Sequence, residues 1–143
     1  MATKRRSRLA RVTTGVPGLD TVLGGGFLRG GIYAVRGAPG SGKTILGNQI
    51  CFAIARRGGR SAYVTLLAES HARMMLHLES IDFFDPELAG EAVRYLSAYG
   101  ALMNGGLRGV LDFVRAELPS RQRQGRASDE AGSIIVVDGF LAL

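Results

Sequence analysis

Residues 37–44 read Gly37-Ala38-Pro39-Gly40-Ser41-Gly42-Lys43-Thr44, and they follow the short apolar run Ile32-Tyr33-Ala34-Val35. The octet matches G-x-x-x-x-G-K-[ST], a pattern in which successive backbone N–H groups turn inward around an anion. Such a turn needs positive φ or close backbone approach, which glycine tolerates best, and Gly40 and Gly42 supply it. Pro39 stiffens the loop, so less ordering entropy is lost on binding. The apolar run predicts a strand over residues 32–35, and residues 43–57 predict a helix with Leu46, Ile50, Ala53 and Ile54 at helical spacing. A helix N-terminus at Lys43 adds a favourable dipole for phosphate. Lys43 is then expected to reach the β- and γ-phosphates of a nucleotide, and the Thr44 hydroxyl to ligate Mg²⁺. The pattern points to ATP with magnesium as the ligand pair. Lys43 is one of only two lysines among 18 basic residues. A compact ammonium suits a phosphate cradle where a planar guanidinium does not.

Working outward, Gly58-Gly59 ends the helix, as glycine does at a C-cap. Residues 61–67 (SAYVTLL) predict a second strand, apolar enough to be buried on both faces. Ser70 is placed to cap a helix running through Met74, Met75, Leu78 and Ile81. Residues 93–96 suggest a further strand. Leu107, Val110, Leu111, Val114 and Leu118 predict an amphipathic helix stopped by Pro119. Residues 119–132 read as a mobile polar loop. The run Ser133-Ile134-Ile135-Val136-Val137 is a strongly apolar strand ending in Asp138-Gly139. Upstream, residues 14–31 read as turns around one short apolar segment, with Pro17 and Asp20 among the glycines. Strands alternating with helices argue for an α/β fold with a mostly parallel sheet flanked by helices.

An apolar strand ending in aspartate, downstream of such a loop, is expected to hold the Mg²⁺ water shell across from Thr44, which makes Asp138 the second metal candidate. Glu69 follows the second strand. It reads equally as a carboxylate that polarises the attacking water or as a solvated residue in a first helical turn. His71 and His77 lie on a helix candidate without a third ligand, which argues against a metal site there. Cys51, the single cysteine, reads as a small core residue and excludes an internal disulfide.

The chain has 143 residues, a net charge of +6 and 46% hydrophobic residues. It fits one domain with a sizeable core. No apolar run approaches the roughly 20 residues needed to cross a bilayer, and no secretory signal follows the basic start, so a cytoplasmic location is expected without membrane contact. Residues 1–12 read as a flexible basic arm, and residues 13–143 as the nucleotide-binding domain. The run Lys4-Arg5-Arg6-Ser7-Arg8 suits nucleic acid or an acidic partner, but a solvated, frayed arm is the favoured reading and nucleic acid is not.

Residues 14–44, TGVPGLDTVLGGGFLRGGIYAVRGAPGSGKT, resemble the opening of the KaiC-like branch of the RecA superfamily, T-G-x-x-G-L-D-x-x-L-G-G-G followed by a strand and the Walker A loop. YVTLLAES and IIVVDG fall where that family places its second strand and Walker B strand, so the resemblance spans residues 12–139. It implies a RecA-like P-loop core that binds ATP between neighbouring subunits of a homo-oligomer. The implied activity is hydrolysis of the ATP β–γ phosphoanhydride in an assembled or full-length form. Lys43 and the loop would bind the phosphates, Thr44 and Asp138 would place Mg²⁺, and Glu69 would orient water. Two features depart from the family. Leu67 and Ala68 stand where the clock protein carries adjacent glutamates, and a one-residue shift makes Glu69 the counterpart of the second. The sequence also ends five residues after Asp138, where a complete core continues, so an apparently truncated domain is expected. Two other readings stand beside this one: a DNA-handling ATPase similar to RadA or RadB, and a nucleotide-gated signalling or assembly module without turnover.

Overall fold

The computed structural model describes residues 10–67, 71–117 and 131–139. Its elements run β1 (Arg11–Val12), α1 (Pro17–Val22), β2 (Phe27–Leu28), α2 (Lys43–Arg56), β3 (Arg60–Thr65), α3 (His71–Leu78), β4 (Val93–Ser97), α4 (Tyr99–Glu117) and β5 (Ser133–Asp138). The main sheet has the order β4-β3-β5, and both pairings are parallel. Parallel neighbours require crossovers, and α3 and α4 lie in them.

Side chains on β3 alternate between two covered faces. Tyr63 packs with Cys51, Phe52 and Ala55 of α2 and with Val93 of β4. Val64, one residue on, packs with Val110 of α4, alongside Leu66 and Ala98. Burial on both faces explains why the centre of β3 is apolar rather than alternating, whereas β5, the outer of the described strands on that side, leaves Ile135 37% exposed. The fold is therefore an α/β layer structure, as the alternation of elements predicts. Phe52 is fully buried and tilts against Phe83 and Phe84, with ring centroids 5.9 and 5.4 Å away. Gly58, at φ 83, follows α2 as its helix-ending glycine. Arg94 of β4 donates to the Glu117 carboxylate at 2.7 Å and to its carbonyl at 2.9 Å, tying α4 back to the sheet.

Several expectations are corrected. Residues 32–35 are not a strand: they run irregularly, and Ile32 is 99% exposed. An apolar run becomes a strand only where a neighbour supplies a ladder, and among the described residues β5 pairs with β3 alone. The segment read as turns holds α1 and β2, and β2 pairs antiparallel with β1 upstream of it, Arg11↔Leu28 and Val12↔Phe27. Asp20 organises it, accepting from the Thr14 backbone N–H at 2.7 Å and hydroxyl at 2.8 Å. Arg11 and Val12, inside the stretch expected to be an arm, form β1.

The last helix begins at Tyr99, eight residues before Leu107, and is broken at Gly106 (φ 57, ψ −151). That break re-phases the apolar stripe. Val110 is buried while Leu107 and Leu111 face outward, 52% and 56% exposed. The first nine residues, Glu69, Ser70, Pro119, nearly all of the expected polar loop and residues 140–143 lie outside the described residues.

Candidate functional site

The glycine loop takes its shape from three glycines with different reasons. Gly40 and Gly42 have φ of 78° and 87°. At Gly37 the space is limited by Ser41, whose hydroxyl would have to turn away from an added Cβ. Gly42 is the N-cap of α2, so the positive end of that helix opens directly onto the loop. Lys43 folds back over the loop and donates to the Gly37 and Ala38 carbonyls, each at 2.8 Å. The sequence reading placed this ammonium on phosphate. In the structure the loop's own carbonyls hold it.

Thr44, one residue into α2, points at the end of β5. Its hydroxyl donates to Asp138 Oδ2 at 2.8 Å across 94 residues of sequence. The same oxygen accepts the Tyr63 hydroxyl at 2.6 Å, and Oδ1 accepts the Gly139 backbone N–H at 2.8 Å. The two residues read from sequence as a pair are thus brought into direct contact. On the other side of Thr44, Asn48 donates to its carbonyl at 2.9 Å and accepts the Tyr95 hydroxyl at 2.8 Å.

These groups border a cavity of about 450 Å³ at the carboxyl ends of β3 and β5, lined by Gly40, Gly42, Lys43, Thr44 and Asp138 from the loop side. That position is where open parallel sheets bind ligands. The opposite wall is α3, which contributes His71, Arg73, Met74 and His77. His71 Nε2 lies 2.9 Å from the Thr65 hydroxyl, and burial lowers its pKa, favouring the neutral ring.

Sequence reasoning missed Tyr63, Tyr95 and Asn48, which sit within apolar runs. It also discounted the α3 wall, where His71 and His77 reach the cavity. Glu69 lies outside the described residues. Burial pushes the Cys51 thiol up to about 12, in keeping with its core role.

Parallel sheet, flanking helices and this cavity define an α/β domain of RecA-like architecture. A profile of the KaiC ATPase family matches residues 12–84. The circadian clock oscillator protein KaiC of Picosynechococcus is 35% identical over 127 residues, covering 85% of this chain and 24% of that protein. Its counterpart from Prochlorococcus marinus is 33% identical over the same length, covering 85% and 25%. The DNA repair protein RadA of Brucella abortus is 44% identical over 55 residues, covering 38% and 12%. The chain belongs to the KaiC ATPase family and spans about a quarter of the length of its KaiC relatives. Membership of an ATPase family implies nucleotide binding. Among the described residues no helix is long and apolar enough to cross a membrane.

Proposed function

We propose that residues 13–143 form a domain that binds Mg²⁺-ATP in the cavity between the glycine loop and α3, and that hydrolysis takes place in an assembled or full-length form. The observation that carries this reading is the Thr44–Asp138 hydrogen bond, which closes a loop of phosphate-binding pattern onto a carboxylate at a strand end. The loop amides and the start of α2 would hold the phosphates, and Lys43 would exchange its two carbonyl partners for phosphate oxygens.

The donor set fits magnesium. A hydroxyl and a carboxylate are hard oxygen ligands, and Thr44 spends its proton on Asp138, leaving hydroxyl lone pairs for a cation. Thr44 would bind the ion directly and Asp138 through water. Bound Mg²⁺ neutralises charge on the phosphate oxygens. Orientation of the attacking water is assigned to Glu69, on its place in the sequence after β3. ATP lodged between copies of the longer protein would make the active form a homo-oligomer.

Titration of ATP against Lys43→Ala tests the loop. A hydrogen bond to a charged group is worth about 1.5–3 kcal/mol, so loss of the ammonium should weaken Kd by about 10–150-fold. Unchanged affinity rejects the assignment.

A second reading, DNA handling, is favoured by the RadA match and the basic residues 4–8. It requires salt-dependent DNA binding that disappears when residues 1–11 are removed. A module without turnover would show no phosphate release in the longer protein. Release abolished by Glu69→Gln would eliminate it.

A further inference from the structure

We infer that a cross-strand tyrosine pair, Tyr63 and Tyr95, sets the magnesium affinity of this site by holding Asp138 and Thr44 from beneath. The inference rests on the Mg²⁺-ATP reading and deepens it. Tyr63 of β3 and Tyr95 of β4 are directly paired in the parallel ladder, with ring centroids 5.9 Å apart. Both are directed toward α2. Tyr63 ends its reach on Asp138 Oδ2, at 2.6 Å. Tyr95 reaches Asn48, which in turn holds the Thr44 carbonyl. Tyr63 therefore fixes the carboxylate oxygen on which the Thr44 hydroxyl also rests, and Tyr95, through Asn48, steadies the backbone of the helix turn that carries Thr44.

The donors are set for this role. Tyr63 is fully buried, and Asn48 likewise. With Tyr63 and Thr44 both on Oδ2 and Gly139 on Oδ1, the carboxylate is held by three donors, and its rotation about χ2 is restricted.

An independent observation comes from α2. Gly47 faces the Tyr63 ring. A Cβ there would lie 3.2 Å from Tyr63 Cε2, 3.7 Å from its hydroxyl and 3.1 Å from Val136 Cγ1. A glycine inside a helix costs stability relative to alanine. At this position its lack of a side chain lets the phenol pass under the helix to Asp138. Tyr63 and Tyr95 are positioning residues, since neither borders the cavity.

The test is ATP binding by the whole chain with saturating Mg²⁺ and again with a chelator, for the unaltered protein, Tyr63→Phe and Gly47→Ala. Removing groups that orient metal ligands lowers metal affinity by about 10–100-fold. Tyr63→Phe should cut the Mg²⁺-dependent gain by that factor and leave metal-free ATP affinity unchanged. Gly47→Ala, which keeps the hydroxyl but crowds the ring, should shift the same quantity in the same direction by less. An undiminished Mg²⁺ gain in Tyr63→Phe overturns the inference and leaves the nucleotide reading standing. Equal losses with and without Mg²⁺ also overturn it, because that is the signature of general structural damage. An unaltered protein whose ATP binding ignores Mg²⁺ removes both.

A measurement without any variant guards against misfolding. The chain has no tryptophan and four tyrosines, so near-ultraviolet circular dichroism reports the tyrosines. Mg²⁺-ATP should change that signal where metal-free ATP does not, and identical spectra overturn the inference.

Discussion

Gly42→Ala separates the loop's conformation from its contacts. At φ 87 and ψ 13 the residue sits in the left-handed region, and a Cβ built there meets nothing within 4 Å. Substitution therefore introduces no collision, and the whole cost is the backbone strain of an L-residue in that region, about 1–2 kcal/mol. That cost has two outlets. If packing of α2 keeps the loop in place, the strain lowers stability by 1–2 kcal/mol, a fall of about 3–7 °C in Tm for a chain of this size. If the loop relaxes, Tm holds and the strain is met when ATP binds, weakening Kd by about 5–30-fold. Calorimetric titration and thermal melting of the same preparation measure both, and together they should account for the 1–2 kcal/mol. Full affinity with an unchanged Tm would refute the reasoning, since the left-handed turn would then not be the form the loop adopts.

The core gives a larger effect: Phe52→Ala, which empties a fully buried site against Phe83 and Phe84, should cost about 3–5 kcal/mol by chemical denaturation. Alkaline pH should also weaken the fold. The folded Cys51 thiol is raised from 9.0 to about 12, so between those values the unfolded chain binds fewer protons than the folded one and stability falls as pH rises. Tyr63 and Tyr95 act in the same direction above their ordinary value of 10.0. A melting temperature flat from about pH 8.5 to 10.5 would contradict these shifts. For the same reason, Cys51 should resist alkylation in the folded protein and react on unfolding, as a thiol-labelling time course would show.

Where the pattern in the sequence was strong, it reported the physics that forms the element. The run that became β3 is apolar through its centre because α2 and α4 cover its two faces, and α2 carries its stripe between a glycine loop and a glycine stop. The same logic misled at residues 32–35, because hydropathy cannot reveal whether a neighbour supplies the ladder. Helix α1 was hidden by Gly18 and by the glycines on either side of it. Its organiser, Asp20 gripping Thr14, depends on a turn geometry that spacing alone does not disclose. The glycines at 100, 105, 106 and 109 disguised the first half of α4, and the break at Gly106 shifted which side chains face inward.

For the site, residue type and order were enough to pair Thr44 with Asp138. They were not enough to find Tyr63 or Asn48, whose polar atoms serve the site from inside apolar segments. Gly47, an unexplained glycine inside a helix, was the one clue to Tyr63 that the sequence displayed.

Lys43 has a consequence for ligand choice. Because its ammonium already has two good partners in the Gly37 and Ala38 carbonyls, an incoming anion gains only the difference between its own oxygens and theirs. A single phosphate spans less of the turn than a polyphosphate tail and so engages fewer of its amides beside the ammonium. On the proposed Mg²⁺-ATP reading, self-occupancy of the loop would act as a length filter, and affinities are expected to rank triphosphate above diphosphate above monophosphate, whatever the base attached.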